Sequence, residues 1–173
     1  SQFLASADVS MMETGKEYRL KEALSEARSF YDYIVIDTPP ALGTLTVNAL
    51  TASDKVLIPS QADVFSLQGI GQLANTLNSV KSYCNPALEI LGIVLTRYSS
   101  RAVLSRDLAT MITETAAQIG THVYETAIRE AIVIKEAQAN HQSIFDYAPK
   151  SKAAADYDAL LDEIFGEEAA ANG

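Results

Sequence analysis

Compact apolar runs alternate with longer segments of helical period along this chain, and that alternation limits its fold more than any other feature. The runs are Tyr33 to Ile36, Lys55 to Ile58 and Leu88 to Leu95, with a shorter fourth at Thr121 to Tyr124. Short apolar runs bounded by turn residues predict strands buried on both faces. Between them, residues 17–30 place Leu20, Ala23, Leu24 and Ala27 at three- and four-residue spacings, and residues 66–82 do so with Ile70, Leu73, Ala74, Leu77 and Val80. Residues 102–119 (Leu104, Leu108, Met111, Ile112) and 152–165 (Ala155, Leu160, Leu161, Ile164) repeat the pattern, and Ser151 stands where a cap for the last helix belongs. Strands that alternate with helices predict a three-layer α/β fold, with a mostly parallel sheet and helices on both faces. The 173 residues, 48% of them apolar, suffice for one such core. The expected boundaries are 1–165 for the domain and 166–173 for a frayed acidic tail, GEEAAANG.

Charge and composition remove several function classes. A net charge of −9 argues against a surface that grips nucleic acid everywhere, though not against a local basic patch. The single cysteine, Cys84, supports neither an internal disulfide nor a cysteine-held metal cluster, and fits a reducing compartment. His122 and His141 are far apart in the sequence and have no ligand partners at metal spacing. No apolar run approaches a membrane span, and Ser1 to Phe3 do not open a leader peptide, so no membrane role and a cytoplasmic location are expected.

The stretch richest in chemistry is YDYIVIDTPPALGTL, residues 31–45. An apolar run delivers Asp37 to its C-terminal end, the edge at which open α/β sheets bind ligands. An acid there holds magnesium, directly or through water, beside nucleotide phosphates. Thr38 offers a hydrogen bond, Pro39 and Pro40 stiffen the exit, and Gly43 leaves the backbone free to respond to a γ-phosphate. A strand that ends in Asp is common; the full string DTPPxLGxLTxNAL is far more specific.

That string resembles the Walker B and switch II region of the ParA/Soj family of partitioning ATPases. The similarity extends through GKEYRLKEAL (15–24), ASDKVLIPSQADVFSLQGIGQL (52–73) and LGIVLTRYSSRAVLSRDL (91–108). It continues through 124–164, where YxPxSKxAxDY is a specific signature. The resemblance implies a P-loop NTPase-like fold that binds ATP with Mg2+, the metal at Asp37. It also implies an ATP-dependent homodimer, non-specific DNA binding, a ParB-like centromere-binding partner, and a nucleoid-associated role in plasmid or chromosome segregation. Arg101 aligns with a family arginine that contacts DNA phosphates, and Arg106 lies near it. The family form IPRNVRLSEAP reads IREAIVIKEAQ here: Arg129, Glu130 and Val133 replace a proline and two arginines, and Lys135 stands in for part of the lost basic patch. Thr96, Arg97, Ile128 and Arg129 follow strand ends and are expected to line an adenine pocket.

One family element is missing. Neither GxxxxGK[ST] nor KGGxGKT occurs, and the eight glycines are scattered. Gly69 and Gly71 fall in a helical pattern, where they read as a packing feature. The chain is therefore expected to be the C-terminal part of such an ATPase, lacking its P-loop strand and inactive alone. The exposed sheet edges are expected to force a dimer or a rearranged sheet. Other readings are a P-loop-less dimerisation or DNA-binding subunit, and a MinD-like division-site regulator. The latter class ends in a basic amphipathic helix, whereas this chain ends LLDEIFGEEAAANG. An iron-protein reductase of the same superfamily needs more than one cysteine.

Overall fold

The computed structural model describes residues 15–99 and 102–171. Three strands, β1 (Lys55–Gln61), β2 (Glu89–Tyr98) and β3 (Ile128–Arg129), form a sheet in the order β1-β2-β3. β2 and β3 pair in parallel. The helices are α1 (Arg19–Ala23), α2 (Thr44–Ala52), α3 (Val64–Tyr83), α4 (Val103–Gln118), α5 (Ile132–Ala139), α6 (Ile144–Tyr147) and α7 (Lys152–Ala171). The expected α/β class, a parallel sheet with alternating helices, is the one found.

Two compact units divide the chain: Ser1–Val56 with Gly71–Ile90, and Leu57–Ile70 with Leu91–Gly173. In the first, α2 is buried along most of its length, polar residues included. Its buried polar groups are satisfied locally. Asn48 Nδ2 donates to Thr44 O and its Oδ1 accepts from the Leu20 N–H, while Asn85 Nδ2 donates to Leu50 O and Ser53 O at the helix end. In the second unit, Val94, Tyr124, Ile128, Leu160 and Ile164 form a core against which Leu57, Leu91, Ile134 and Tyr157 pack. α4 ends at Gly120, whose φ of 75° is a left-handed cap that suits glycine. α7 starts on Ser151, whose Oγ accepts from the Ala154 N–H at 3.1 Å, as expected.

Several expected boundaries move. Tyr33 to Ile36 forms no strand: residues 31–43 contain neither helix nor strand, and Val35 is 93% exposed. A β-prone run becomes a strand only where a neighbour takes its N–H and C=O groups, and the described sheet begins at β1. Thr121 to Tyr124 contributes only a single parallel bridge, Ile93 to Val123. The helix expected over 17–30 breaks into 3-10 turns at Lys16–Tyr18 and Ala27–Ser29 around α1. There the Ser25 and Ser29 hydroxyls donate to the Glu22 and Glu26 carbonyls, competing with helical bonding. β1 runs through Pro59 to Gln61, which an edge strand tolerates because proline lacks only a donor. α7 continues to Ala171, through glutamates and alanines that are strong helix formers.

Candidate functional site

The C-terminal ends of β2 and β3 build a cleft within the second unit. The register pairs Thr96 with Ile128 and Tyr98 with Arg129, with an irregularity between Thr96 and Tyr98. Arg97 sits in that irregularity with φ 50°, a left-handed conformation rare outside glycine and asparagine. Such bulges re-aim side chains and occur next to functional sites. Here the Arg97 Nη2 donates to Glu130 Oε1 at 3.0 Å, and Lys135 Nζ from α5 donates to the same oxygen at 3.1 Å. Those hydrogen bonds, first from Lys135 and then from Arg97, hold the Glu130 carboxyl below its ordinary pKa. Thr96 Oγ1 donates to Ser60 O, tying β2 to β1.

The cavity has a volume of about 430 Å3, within the range of small-molecule pockets. Thr96, Arg97, Ile128 and Arg129, the residues expected to share a pocket, all line it, together with Glu130 and Lys135. Ile134 and Tyr157 supply apolar wall.

α7 fixes the opposite side through two carboxylates. Asp156 takes Arg129 Nε and Nη2 at 2.6 Å each, and the Arg129 backbone N–H at 3.1 Å. Burial pushes the Asp156 carboxyl up, but the Arg129 hydrogen bonds and charge outweigh it and leave it below its ordinary value. The same pair holds the Arg129 guanidinium above its usual range. One turn pair along, Glu163 accepts the backbone N–H groups of Glu125 at 2.7 Å and Thr126 at 3.0 Å. Burial raises its pKa, and the two N–H groups reverse that to a net lowering. Asp156 belongs to the YxPxSKxAxDY signature, but neither it nor Glu163 was singled out from the sequence.

The Asp37 loop belongs to the first unit. Asp37, Thr38, Pro39 and Pro40 are exposed, and Gly43 is the N-cap of α2. Thr46 Oγ1 donates to Ala41 O at 2.7 Å, anchoring the loop's exit to the buried helix. Among the described residues, no group of three or more His, Cys, Asp or Glu side chains is placed to hold a metal. Magnesium commonly binds one or two carboxylates and completes its shell with phosphates and water. Asp37 thus fits as one ligand of a magnesium–phosphate site, not as a free-standing metal site.

The remaining candidates are dispersed. Arg106 is exposed on α4, Lys135 lies in the cleft beside Glu130, and Arg101 falls outside the described residues. Gly69 and Gly71 are not a packing feature: a Cβ on either would meet nothing within 4 Å. Among the described residues, no helix is long and apolar enough to cross a membrane.

The sheet, the cleft at its strand ends and the acid-bearing loop before α2 are features of the P-loop NTPase class. The AAA domain family matches residues 1–90. The sporulation initiation inhibitor protein Soj of Bacillus subtilis is 40% identical over 98% of this chain and 64% of its own length. The chromosome partitioning protein ParA of Myxococcus xanthus is 37% identical over 93% of this chain and 56% of its own. Cobyrinic acid a,c-diamide synthase from Mycobacterium smegmatis, solved with a bound ATP analogue and magnesium, superposes with a TM-score of 0.72. It is 34% identical, over 92% of this chain and 59% of that one. The chain belongs to the AAA domain family, as a member of its ParA/Soj group, and spans half to two thirds of the length of these relatives.

Proposed function

We propose that this chain supplies the magnesium-side loop and the base-binding cleft of a partitioning-type ATP switch. The observation that carries the reading is the cleft: Thr96, Arg97, Ile128 and Arg129 line one cavity where β2 and β3 end. Ligands of α/β sheets sit at that edge. Ile128, Ile134 and Tyr157 offer apolar contact to a purine. Asp37 takes part in holding Mg2+ beside the phosphates, with Thr38 and Gly43 in the loop that senses them. The ATP analogue and magnesium of the M. smegmatis relative support the same cofactors here.

No phosphate-binding loop is encoded in these 173 residues, so tight ATP binding requires such a loop to be joined to the chain. With it, ATP drives homodimerisation. Arg101 and Arg106 then meet DNA phosphates without sequence preference, and a ParB-like centromere-binding protein stimulates hydrolysis at the nucleoid.

The test is a titration with Mg2+ and a fluorescent ATP analogue. It compares the chain alone with a chimera carrying the phosphate-binding segment of the B. subtilis relative. Magnesium-dependent binding by the chimera only, lost in Asp37→Ala, is the expected result. Micromolar magnesium-dependent binding by the chain alone, or none by the chimera, overturns the reading.

A further inference from the structure

Three cations line the cleft, and each meets a carboxylate. Arg129 is committed to Asp156 at both its guanidinium and its backbone N–H. Arg97 and Lys135 are handled differently: one oxygen of Glu130 serves both, at 3.0 and 3.1 Å. Among the described residues, Glu130 is thus the carboxylate that pairs with both cations on that side of the cavity.

The backbone positions that carry the two cations do not depend on Glu130. Arg97 is set by the bulge in β2 and its left-handed backbone. Lys135 rides on α5, whose Ile134 packs against the second unit's core and whose Ala137 is buried. Without the Glu130 charge, a guanidinium and an ammonium would face the same space, which is how proteins bind phosphate. With it, an incoming anion must either break both pairs or lie beside a carboxylate. An uncharged ring against Ile128, Ile134 and Tyr157 does neither.

We propose that Glu130 is the selectivity residue of the cleft, neutralising Arg97 and Lys135 so that the cavity admits an uncharged ring and rejects anionic groups. This rests on the reading of the cavity as a base-binding cleft, and extends it: the phosphates of a bound nucleotide are kept out of the cavity by the chain's own carboxylate.

The experiment compares the parent chain with Glu130→Gln by calorimetric titration with two probes, pyrophosphate and adenosine. Glu130 is about half exposed, so the variant is expected to fold, and thermal unfolding checks that it does. Glu130→Gln should bind pyrophosphate roughly five- to tenfold more tightly at low salt, while adenosine affinity changes by less than about twofold. The gain should shrink as salt is raised and disappear when Lys135→Met is added. A Glu130→Gln variant that binds pyrophosphate no better than the parent overturns the proposal. If adenosine binds neither protein, the base-cleft reading falls and the selectivity for an uncharged ring falls with it; the pyrophosphate comparison then still decides whether Glu130 bars anions.

Discussion

Arg129 and Asp156 meet at three points: the guanidinium Nε and Nη2 each lie 2.6 Å from a carboxylate oxygen, and the Arg129 backbone N–H lies 3.1 Å from one of the same oxygens. This clamp joins β3 to α7 through Arg129, with Glu163 holding the preceding Glu125 and Thr126 N–H groups. Both carboxyls sit below their ordinary values of 3.8 and 4.5 in the folded chain. A carboxyl depressed by folding adds stability that is full above its unfolded pKa and is lost as pH falls through its folded pKa. The urea midpoint should therefore stay level from about pH 7 to pH 5 as far as these groups are concerned, and drop below about pH 4.5. Asp156→Asn should cost about 1–2 kcal/mol at neutral pH and flatten part of the acid limb. Equal losses at pH 7 and pH 3 would show that the carboxylate charge is not what matters.

Gly92 makes room for Tyr124. A Cβ at Gly92 would lie 2.5 Å from Tyr124 Cε2 and 3.1 Å from Cδ2 and Cζ. The ring is held in place: Tyr124 is 3% exposed, its hydroxyl donates to Leu91 O, and its backbone N–H donates to Ile93 O. Gly92→Ala should therefore destabilise the chain by about 1–3 kcal/mol through overpacking. In a Tyr124→Leu background the same substitution should cost much less, and a double-mutant cycle in urea measures the difference. Strict additivity would refute the steric account.

These particulars show what the sequence carried. Periodicity placed α3, α4 and α7, because each buries an apolar stripe whose spacing is visible in one dimension. It located β2 but gave no reason for Gly92, since that reason lies far along the chain at Tyr124. The cleft residues Thr96, Arg97, Ile128 and Arg129 were legible from the strand ends and the family resemblance. The pairing of Glu130 with Arg97 and Lys135 was not: it depends on the bulge at Arg97, a backbone feature that no residue type announces. The run Tyr33 to Ile36 had strand composition but is not part of the sheet found among the described residues.

Two glycines and a histidine occupy positions that suit the opposite residue types. Gly69 and Gly71 lie inside α3 with open space where a side chain would go, whereas His141, just past α5, has φ 54°. Glycine inside a helix costs roughly 0.5–1 kcal/mol relative to alanine, and a non-glycine residue in the left-handed region costs about 1–2 kcal/mol. Gly69→Ala and Gly71→Ala should each raise stability by about 0.5–1 kcal/mol, and His141→Gly by about 1 kcal/mol. Thermal denaturation checks all three; a loss at Gly71 would mean that its exposed face is in use.

Val35 is 93% exposed and Tyr31 67%, in a run whose composition favours strands and which forms none. Exposed, β-prone segments recruit other chains edge to edge. The chain should therefore associate as its concentration rises, through pairing at 31–36. A lysine in the middle of such a segment disfavours pairing, because association would desolvate its charge or set it beside the same charge of another copy. Val35→Lys should suppress association in light scattering and leave the unfolding midpoint unchanged, since the side chain has no packing to lose. If the parent is monodisperse at every concentration, or Val35→Lys associates as readily as the parent, the run is not the adhesive edge.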